Sequence, residues 1–494
     1  MLYKSTRSQA PADKTAAEVI KQGLATDGGL FVPDSIPTLT AEEITALCAD
    51  SYPVRAAKIL SKYLSDYAYE ELLADCEKAY ATTSFVGGAA PLVDIYGNLT
   101  SLELWHGPTA AFKDMALQIM PRLLSRALVK TGETDTALIL VATSGDTGKA
   151  ALEGYRDVDG VKIMVFYPVD GVSRVQKLQM QTQEGKNVNV CAIRGNFDDA
   201  QSGVKEIFAD ASVAAALKEK GYFFSSANSI NWGRLAPQIV YYVSAYCDLI
   251  NSKKCKPGDA FNVCVPTGNF GNIFAAYLAK KMGLPIARMI CASNTNNILT
   301  DFLRTGTYDR NRDFYLTMSP SMDILISSNL ERLLYFTAGS EKTAAYMASL
   351  KSTGAYTVEK ETLDAIHESF CGYYTDETET EETIRRIWGE HGYLADPHTA
   401  VAIHAAEQYV KESGDMLPMV IDSTASPYKF ANHVYRAVTG KEATSDLAAL
   451  DELSAATNTE IPYPLAGLAA RRVHFDATVD KTEMTSAVLA YVGK

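Results

Sequence analysis

The sequence predicts an α/β protein in which two open, mostly parallel sheets are covered by helices. Short apolar segments recur along the chain, and a helical pattern follows each of them. Parallel sheets that are buried on both faces are built from such strands and connecting helices. The length of 494 residues indicates more than one domain. The composition, with 47% hydrophobic and 21% charged residues, is that of an ordinary globular protein.

The first half of the chain predicts two of the three parts. Residues 1–95 form an N-terminal α/β segment. A smaller α/β domain is expected over residues 96–215. It contains predicted strands at 137–142, 161–168 and 187–193, each followed by a helix, the last of which covers about 198–220.

The second half predicts a larger α/β domain over residues 216–494. Its predicted strands lie at 261–266, 286–292 and 417–422. Between them, residues 300–390 are rich in Tyr, Leu and Ser, which indicates a mostly helical insertion.

Charge and composition exclude several classes of function. A net charge of -13 argues against a nucleic-acid or anionic-membrane partner. No apolar run approaches the roughly 18 residues that a membrane span needs. Eight cysteines without a Cys-x-x-Cys pair, together with a polar N-terminus, predict a cytoplasmic protein with reduced thiols. The sequence leaves open whether the protein is a monomer or a homodimer.

The common hydrolytic and metal motifs are missing. The seven histidines show no H-E-x-x-H spacing, so the sequence predicts no metal site. A G-x-S-x-G segment is also absent, which argues against an α/β-hydrolase nucleophile.

Glycine-framed loops follow two of the predicted strands. Ligands of open α/β sheets lie at the carboxyl ends of strands. The loop "ATSGDTGKAA" at 142–151 offers hydroxyls and a helix start, which suit a carboxylate. It departs from a Walker A loop at Thr143 and Ala150. The loop "VPTGNFGNIFAA" at 265–276 can direct backbone N–H groups at a phosphate. A simple helix-capping turn is the alternative for both loops.

Polar side chains cluster in two further segments. "IDSTASPYKF" at 421–430 brings hydroxyls off a strand end, although Ser and Thr there could equally cap a helix. "SSANSINWGRLAPQ" at 225–238 places hydrogen-bonding side chains beside one arginine, which suits a dianion. The alternative for this second segment is a hydrogen-bonded loop ahead of a helix.

Lys113 completes a set of groups that suits pyridoxal phosphate. It follows the apolar, tightly turned stretch "HGPTAAF", and an apolar setting lowers the pKa of a lysine and favours its neutral amine. Pyridoxal phosphate needs a lysine, a phosphate cradle and a partner for its ring nitrogen. The combined segments therefore predict an enzyme with this cofactor.

The same segments resemble the threonine synthase family. "HGPTAAFKDMALQ", "ATSGDTGKAALEG", "VPTGNFGNIFAAY", "DPHTAVA" and "DSTASPYKF" occur in the family's order, and "YKSTRSQAP" with "GLATDGGLFVP" resembles its N-terminal segment. The matches span residues 3–432. The resemblance implies the tryptophan-synthase β-like fold and the conversion of O-phospho-L-homoserine and water to L-threonine and phosphate.

The resemblance also implies roles for individual residues. Lys113 would hold the cofactor as a Schiff base and then move protons. The phosphate cradle would be Gly268, Asn269, Phe270, Gly271 and Asn272, and Thr424 would face the ring nitrogen. Asp146, where many relatives in the wider class carry Asn, would face the ring oxygen. The substrate carboxylate would meet Ser144, Gly145, Thr147 and Gly148, and its phosphate would meet Asn228, Ser229, Asn231 and Arg234.

Two alternatives stay open from the residues. Another enzyme of the same class, such as a dehydratase or a phospholyase without water addition, would use the same cofactor loops. A non-catalytic protein that binds a phosphorylated metabolite would leave Lys113 a packing residue.

Overall fold

Two parallel sheets dominate the structure, a computed structural model that describes residues 1–143, 145–170 and 172–493. The strands in chain order are β1 Tyr3–Ser5, β2 Phe31–Pro33, β3 Leu92–Tyr96, β4 Leu99–Glu103, β5 Thr136–Ala142, β6 Val161–Pro168, β7 Val188–Arg194, β8 Tyr222–Ser225, β9 Phe261–Pro266, β10 Ile286–Ser293, β11 Thr307–Asp309, β12 Ala355–Thr357, β13 Phe370–Tyr374, β14 Met419–Ser423 and β15 Thr478–Asp480.

Helices cover both sheets and fill most of the remaining chain. They are α1 Ala16–Gln22, α2 Ala41–Leu47, α3 Tyr52–Tyr63, α4 Tyr69–Ala79, α5 Asp114–Leu117, α6 Met120–Lys130, α7 Asp146–Tyr155, α8 Arg174–Gln181, α9 Phe197–Ala209, α10 Ala211–Glu219, α11 Trp232–Asn251, α12 Gly271–Met282, α13 Ile298–Thr305, α14 Leu330–Thr353, α15 Lys360–His367, α16 Glu377–His391, α17 Pro397–Ser413, α18 Ala431–Thr439, α19 Ala448–Thr457 and α20 Met484–Val492. Gly339 interrupts α14 with a non-helical backbone (φ 82°, ψ 171°).

The larger sheet has six strands in the order β13-β10-β9-β14-β4-β3. All neighbours are parallel except β3 and β4, which form an antiparallel pair. The smaller sheet has five parallel strands in the order β15-β7-β6-β5-β8. The prediction of mostly parallel sheets covered by helices is therefore confirmed.

The N-terminal segment packs onto the core of the molecule. β1 and β2 form an antiparallel pair. The ring of Tyr3 lies 5.3 Å from that of Trp232, and both side chains are fully buried. This segment therefore shares a continuous apolar core with α11.

The sheets do not follow the expected domain boundaries at residues 96 and 216. β3 and β4 belong to the six-stranded sheet, where β4 pairs with β14 across more than 300 residues. β8 and β15, expected in the larger domain, pair instead with β5 and β7 of the smaller sheet. Such pairings are non-local, so no composition change along the chain marks them.

The expected helical insertion at 300–390 is more mixed than its composition indicates. Helices α13 to α16 fill most of it, but β11 and β12 pair with each other, and β13 forms the edge of the six-stranded sheet. The long helical stretch expected over 198–220 is two helices, α9 and α10, which meet at Asp210, the N-cap of α10. Among the described residues, no helix is both long enough and apolar enough to cross a membrane.

Candidate active site

Lys113 lies in a turn that connects the end of β4 to α5. The chain before it runs beside the end of β14: the Leu104 N–H donates to the Ser423 carbonyl at 3.0 Å, and the Phe112 N–H donates to the Thr424 carbonyl at 2.8 Å. These backbone bonds bring Lys113 next to Thr424, although 310 residues separate them in sequence.

A buried carboxyl shapes the same turn. Asp114 accepts hydrogen bonds from the Thr109 N–H at 2.8 Å and the Thr109 hydroxyl at 2.7 Å. Gly107 lies directly against it, because a Cβ there would come within 2.6 Å of an Asp114 oxygen. Burial raises the pKa of Asp114 to about 7. Ala110 adopts the left-handed region (φ 59°), which is costly for a residue with a Cβ. Hydrogen bonds and close contacts inside the "HGPTAAFKD" turn therefore fix its conformation.

The Lys113 amine is buried and has a lowered pKa, as expected of an amine that acts as a nucleophile or a base. Burial lowers its pKa to about 8, against the opposing charge of Asp146, and Lys429 and Arg234 lower it further. The amine donates one hydrogen bond, to the Ser321 hydroxyl at 3.3 Å.

The carboxylate loop follows β5, in the smaller sheet. Gly145 has a φ of 144°, and a Cβ there would overlap the Gln176 side chain. The Thr143 hydroxyl accepts hydrogen bonds from the Gly145 N–H at 2.9 Å and the Gly148 N–H at 3.0 Å. The N–H groups of Asp146 and Thr147 have no acceptor within the part of the chain that the structure describes. Ser144 lies outside the described residues.

Asp146 forms a buried ion pair with Lys429, a residue that the sequence analysis did not assign to the site. The Lys429 amine lies 2.9 Å from Asp146 Oδ1, and Gln176 Nε2 donates to the same oxygen at 2.9 Å. Burial alone would raise the pKa of Asp146, but the charges of Lys429 and Lys113 outweigh it and hold that pKa well below its usual range. The carboxylate is therefore already neutralised by protein groups.

The expected phosphate cradle joins β9 to α12. Phe270 has a left-handed backbone (φ 63°), and α12 begins at Gly271. The N–H groups of residues 268–273 have no acceptor among the described residues. They form a run of unpaired donors at a helix N-terminus, which is a favourable site for a phosphate.

The asparagines of the cradle also make hydrogen bonds within the fold. Asn272 Oδ1 accepts hydrogen bonds from the Tyr241 and Tyr242 hydroxyls, and its buried Nδ2 has no partner among the described residues. The Asn269 carbonyl accepts from the Asn329 N–H at 3.1 Å and the Asn329 side chain at 3.0 Å. Among the described residues, the N–H groups of 268–273 and the Asn272 Nδ2 are therefore the cradle donors that remain free for a ligand.

Arg234 is a buried guanidinium in α11. It donates to the Ala227 carbonyl at 2.8 Å, and its Nε has no partner within the described residues. No described carboxylate lies within ion-pair distance of it, and burial lowers its pKa to about 10. A buried cation of this kind is suited to an anionic ligand.

The other members of the expected phosphate group differ in what they can do. Ser229 is half-buried, and its hydroxyl lies 3.5 Å from Asn329 Nδ2 at the edge of the cradle, whereas Asn228 is exposed. Asn231 caps α11 through the Gly233 N–H at 2.8 Å and donates to the carbonyls of Ile20 and Ser226. The structure therefore corrects the expectation for Asn231, whose amide is fully used by the fold.

The residues present fit pyridoxal phosphate. The amide run at 268–273 can hold its phosphate, and the Lys113 amine can hold its aldehyde carbon. The Thr424 hydroxyl, which makes no hydrogen bond to a described residue, can face its ring nitrogen. In the described part of the chain, no group of three or more His, Cys, Asp and Glu residues is placed to hold a metal.

Three residues near Lys113, besides Lys429, were not predicted from the sequence. Ser321 contacts Lys113, and His398 and Asp396 lie behind Ser321. Asp396 and His398 belong to "DPHTAVA", one of the segments that resemble the family. Their positions in the sequence do not show which residues they contact. Ser321 lies in "SPSMD", a stretch without any pattern typical of a site.

Comparison with known proteins finds three matching families. A family described as "Pyridoxal-phosphate dependent enzyme" matches residues 102–417, "Threonine synthase N terminus" matches residues 2–80, and "Threonine synthase, C-terminal" matches residues 399–488.

Individual relatives are similar over most of the chain. Threonine synthase of Pseudomonas aeruginosa is 40% identical, with 89% of this chain and 91% of that protein covered. Threonine synthase-like 1 of Pongo abelii is also 40% identical over 89% of this chain, which spans only 61% of that longer protein. A crystal structure of PLP-bound threonine synthase from Brucella melitensis is 37% identical, superposes with a TM-score of 0.89, and covers 100% of both chains.

These similarities confirm the predicted family and its tryptophan-synthase β-like fold. The chain belongs to the threonine synthase family of pyridoxal-phosphate-dependent enzymes.

Proposed function

We propose that the protein converts O-phospho-L-homoserine and water into L-threonine and phosphate. One observation carries the proposal: the buried Lys113 amine donates to Ser321, whose carbonyl oxygen lies against Gly268 at the start of the amide run 268–273, and the charge of Arg234 acts on the same amine. The site thus offers a proton acceptor, a cradle for the cofactor phosphate and a cation for a second phosphate.

Different residues of the chain bind the two ends of the substrate. The N–H groups of Asp146 and Thr147 bind the substrate carboxylate, and Arg234 with Ser229 and Asn228 binds its phosphate. Pyridoxal phosphate, when bound, stabilises negative charge at the substrate α carbon. Lys113 removes the α proton, because burial keeps a large fraction of its amine neutral near pH 8.

The proton moves within a closed set of groups. Lys113 takes the α proton and releases it before it takes a β proton, since the amine holds one of these protons at a time. The β proton goes to the γ carbon after the phosphate has left, the α proton returns to the α carbon, and the proton freed when water adds at the β carbon leaves with the phosphate. Arg234 stays charged throughout and stabilises the phosphate as it leaves from the γ carbon.

The test uses the purified holoenzyme and the Lys113→Ala variant. With O-phospho-L-homoserine, the parent protein should release L-threonine and phosphate in equal amounts, and the variant should lose the visible absorbance of the bound cofactor and at least about 10³-fold of the activity. Lys280→Ala, a half-buried lysine of α12 away from the site, is the control and should retain both. A keto acid as the product would replace this proposal with a lyase that adds no water.

We also infer a cytoplasmic location and keep both a monomer and a homodimer as candidates. All eight cysteines are free thiols, which supports a reducing compartment. Cell fractionation and light scattering of the purified protein would test the two inferences.

A further inference from the structure

We propose that Ser321 is a positioning residue that holds the Lys113 amine in place, and that a buried Asp396–His398 pair holds Ser321. The inference rests on the proposed function, since it assigns Lys113 the removal of the α proton. Neither the family resemblance nor the cofactor loops assign a role to these three residues.

The Lys113 amine has a hydrogen-bond partner that can orient it. Lys113 Nζ donates to Ser321 Oγ at 3.3 Å, and this is its one hydrogen bond within the described part of the chain. The lysine side chain has four rotatable bonds, so its amine needs a partner to keep one direction. Ser321 is the group that supplies this direction.

The backbone of Ser321 is held by a histidine. His398 Nε2 accepts a hydrogen bond from the Ser321 N–H at 3.1 Å. The other ring nitrogen, Nδ1, lies 2.7 Å from Asp396 Oδ1. Because Nε2 accepts, the proton of the neutral ring is on Nδ1 and is donated to Asp396. The carboxylate thus fixes the tautomer and the orientation that hold Ser321.

The pair is itself rigid. Asp396 and His398 are buried at the start of α17, where Asp396 also accepts from the N–H groups of His398 at 2.9 Å and Thr399 at 3.3 Å. These contacts leave the imidazole little freedom to rotate. A buried histidine with both ring nitrogens engaged is a support and not a free acid or base.

The phosphate cradle confines Ser321 from the opposite side. A Cβ on Gly268 would lie 2.5 Å from the Ser321 carbonyl oxygen, so the two backbones are in direct contact. The Met322 N–H donates to the Ser319 carbonyl at 3.0 Å and closes the turn. Ser321 therefore links α17, the cradle and the reacting lysine.

The transfer of the α proton to Lys113 needs no further reactant. When Lys113 acts, the substrate α C–H bond breaks, a new N–H bond forms on the amine, and the electron pair stays on the substrate. Ser321 Oγ accepts a hydrogen bond from the ammonium and takes no proton. A displacement of the base by about 1 Å can cost roughly 10²-fold in rate, so this contact has a measurable effect.

The experiment compares Ser321→Ala and Ser321→Thr with the parent holoenzyme. Exchange of the substrate α hydrogen in D₂O, followed by NMR, reports proton removal separately from threonine formation. We expect Ser321→Ala to slow exchange and kcat roughly ten- to a hundredfold, with KM and the cofactor affinity within about twofold. Ser321→Thr keeps the hydroxyl and should restore most of the exchange rate.

A second pair of variants tests the support. His398→Leu removes the acceptor of the Ser321 N–H and should slow exchange to the same extent as Ser321→Ala. His398→Gln offers a carbonyl oxygen at that place and should be intermediate. His404→Gln, the same change elsewhere on α17, is the matched control and should exchange at the parent rate. Thermal unfolding of each variant separates these effects from a loss of folded protein.

The inference would be overturned if Ser321→Ala exchanged the α hydrogen as fast as a parent protein that makes threonine. It would also be overturned if all variants lost exchange only in proportion to their stability. A parent protein that exchanges the α hydrogen and makes no threonine would reject the proposed function instead, and the comparison of exchange rates would still decide the role of Ser321.

Discussion

At the scale of single residues, the site is defined by how its charges are paired. Asp146 and Lys429 are both buried and neutralise each other, whereas Arg234 is buried without a described carboxylate partner. Burying a charge is costly unless a partner compensates it. The buried Arg234 without a described carboxylate partner therefore supports the proposal that this cation binds the substrate phosphate.

The Asp146–Lys429 pair can be tested by removing its members one at a time. Lys429→Met removes the ammonium that contacts the buried carboxylate and should lower the free energy of unfolding by about 3–5 kcal/mol. Asp146→Asn should have a similar effect, because it leaves the buried ammonium without its carboxylate. The double variant removes both charges and should recover much of the loss. Urea denaturation of the three variants and the parent measures this, and additive losses would contradict a coupled pair.

The same pair predicts a pH dependence. The pKa of Asp146 is lowered in the folded protein, so its stabilisation is present above the ordinary carboxyl pKa of about 4 and is lost as the pH falls through the lower folded value. The stability difference between the parent and Asp146→Asn should therefore be constant from about pH 5 to pH 8 and shrink in stronger acid. Unfolding measured across this range would contradict the pairing if the difference grew on acidification.

At the scale of elements, the strands that carry the loops could be predicted from the sequence, but several of the strands that pair with them could not. The strands at 161–168 and 261–266 have the bounds that the apolar runs predicted, because a strand buried on both faces reads as a continuous apolar segment. β3, β4, β8 and β15 were missed. They are short or half-exposed, and their place depends on partners far along the chain.

The start of α11 shows how one segment serves both fold and ligand. Asn231→Ala removes the N-cap and should destabilise the protein by about 1–2 kcal/mol, with its main effect on the free energy of unfolding. Arg234→Gln should instead raise KM for O-phospho-L-homoserine at least tenfold, or about 1.4 kcal/mol in binding. Denaturation and steady-state kinetics on both variants separate the two roles. A normal KM in Arg234→Gln would remove it from the substrate phosphate.

At the scale of the whole molecule, the C-terminus completes a sheet formed much earlier in the chain. β15 pairs with β7, and α20 buries Met484, Val488 and Val492 against the smaller sheet. The site depends on this sheet, since it carries the loop of Asp146. The chain must therefore be nearly complete before the smaller sheet gains its last strand and covering helix.

A chain shortened to end at residue 476 tests this arrangement. Burial of each large apolar side chain contributes about 1.5–3 kcal/mol, so losing three of them should cost roughly 5 kcal/mol or more. Hydrogen exchange should increase in β5, β6 and β7 and much less in the six-stranded sheet. Equal protection in the full and shortened chains would show that the C-terminal elements do not stabilise the sheet.

The sequence by itself determined the class of fold and the family, and it predicted the lysine and the loops for the cofactor. It could do so because these features are local: apolar runs, glycine turns and their order along the chain. Only the tertiary structure decided that Lys429 neutralises Asp146, that Asn231 is a cap, and that Ser321 and His398 stand behind Lys113. Apart from the local cap of Asn231, these contacts join residues tens to hundreds of positions apart, and a side chain's neighbours across the fold leave no periodic mark in the sequence.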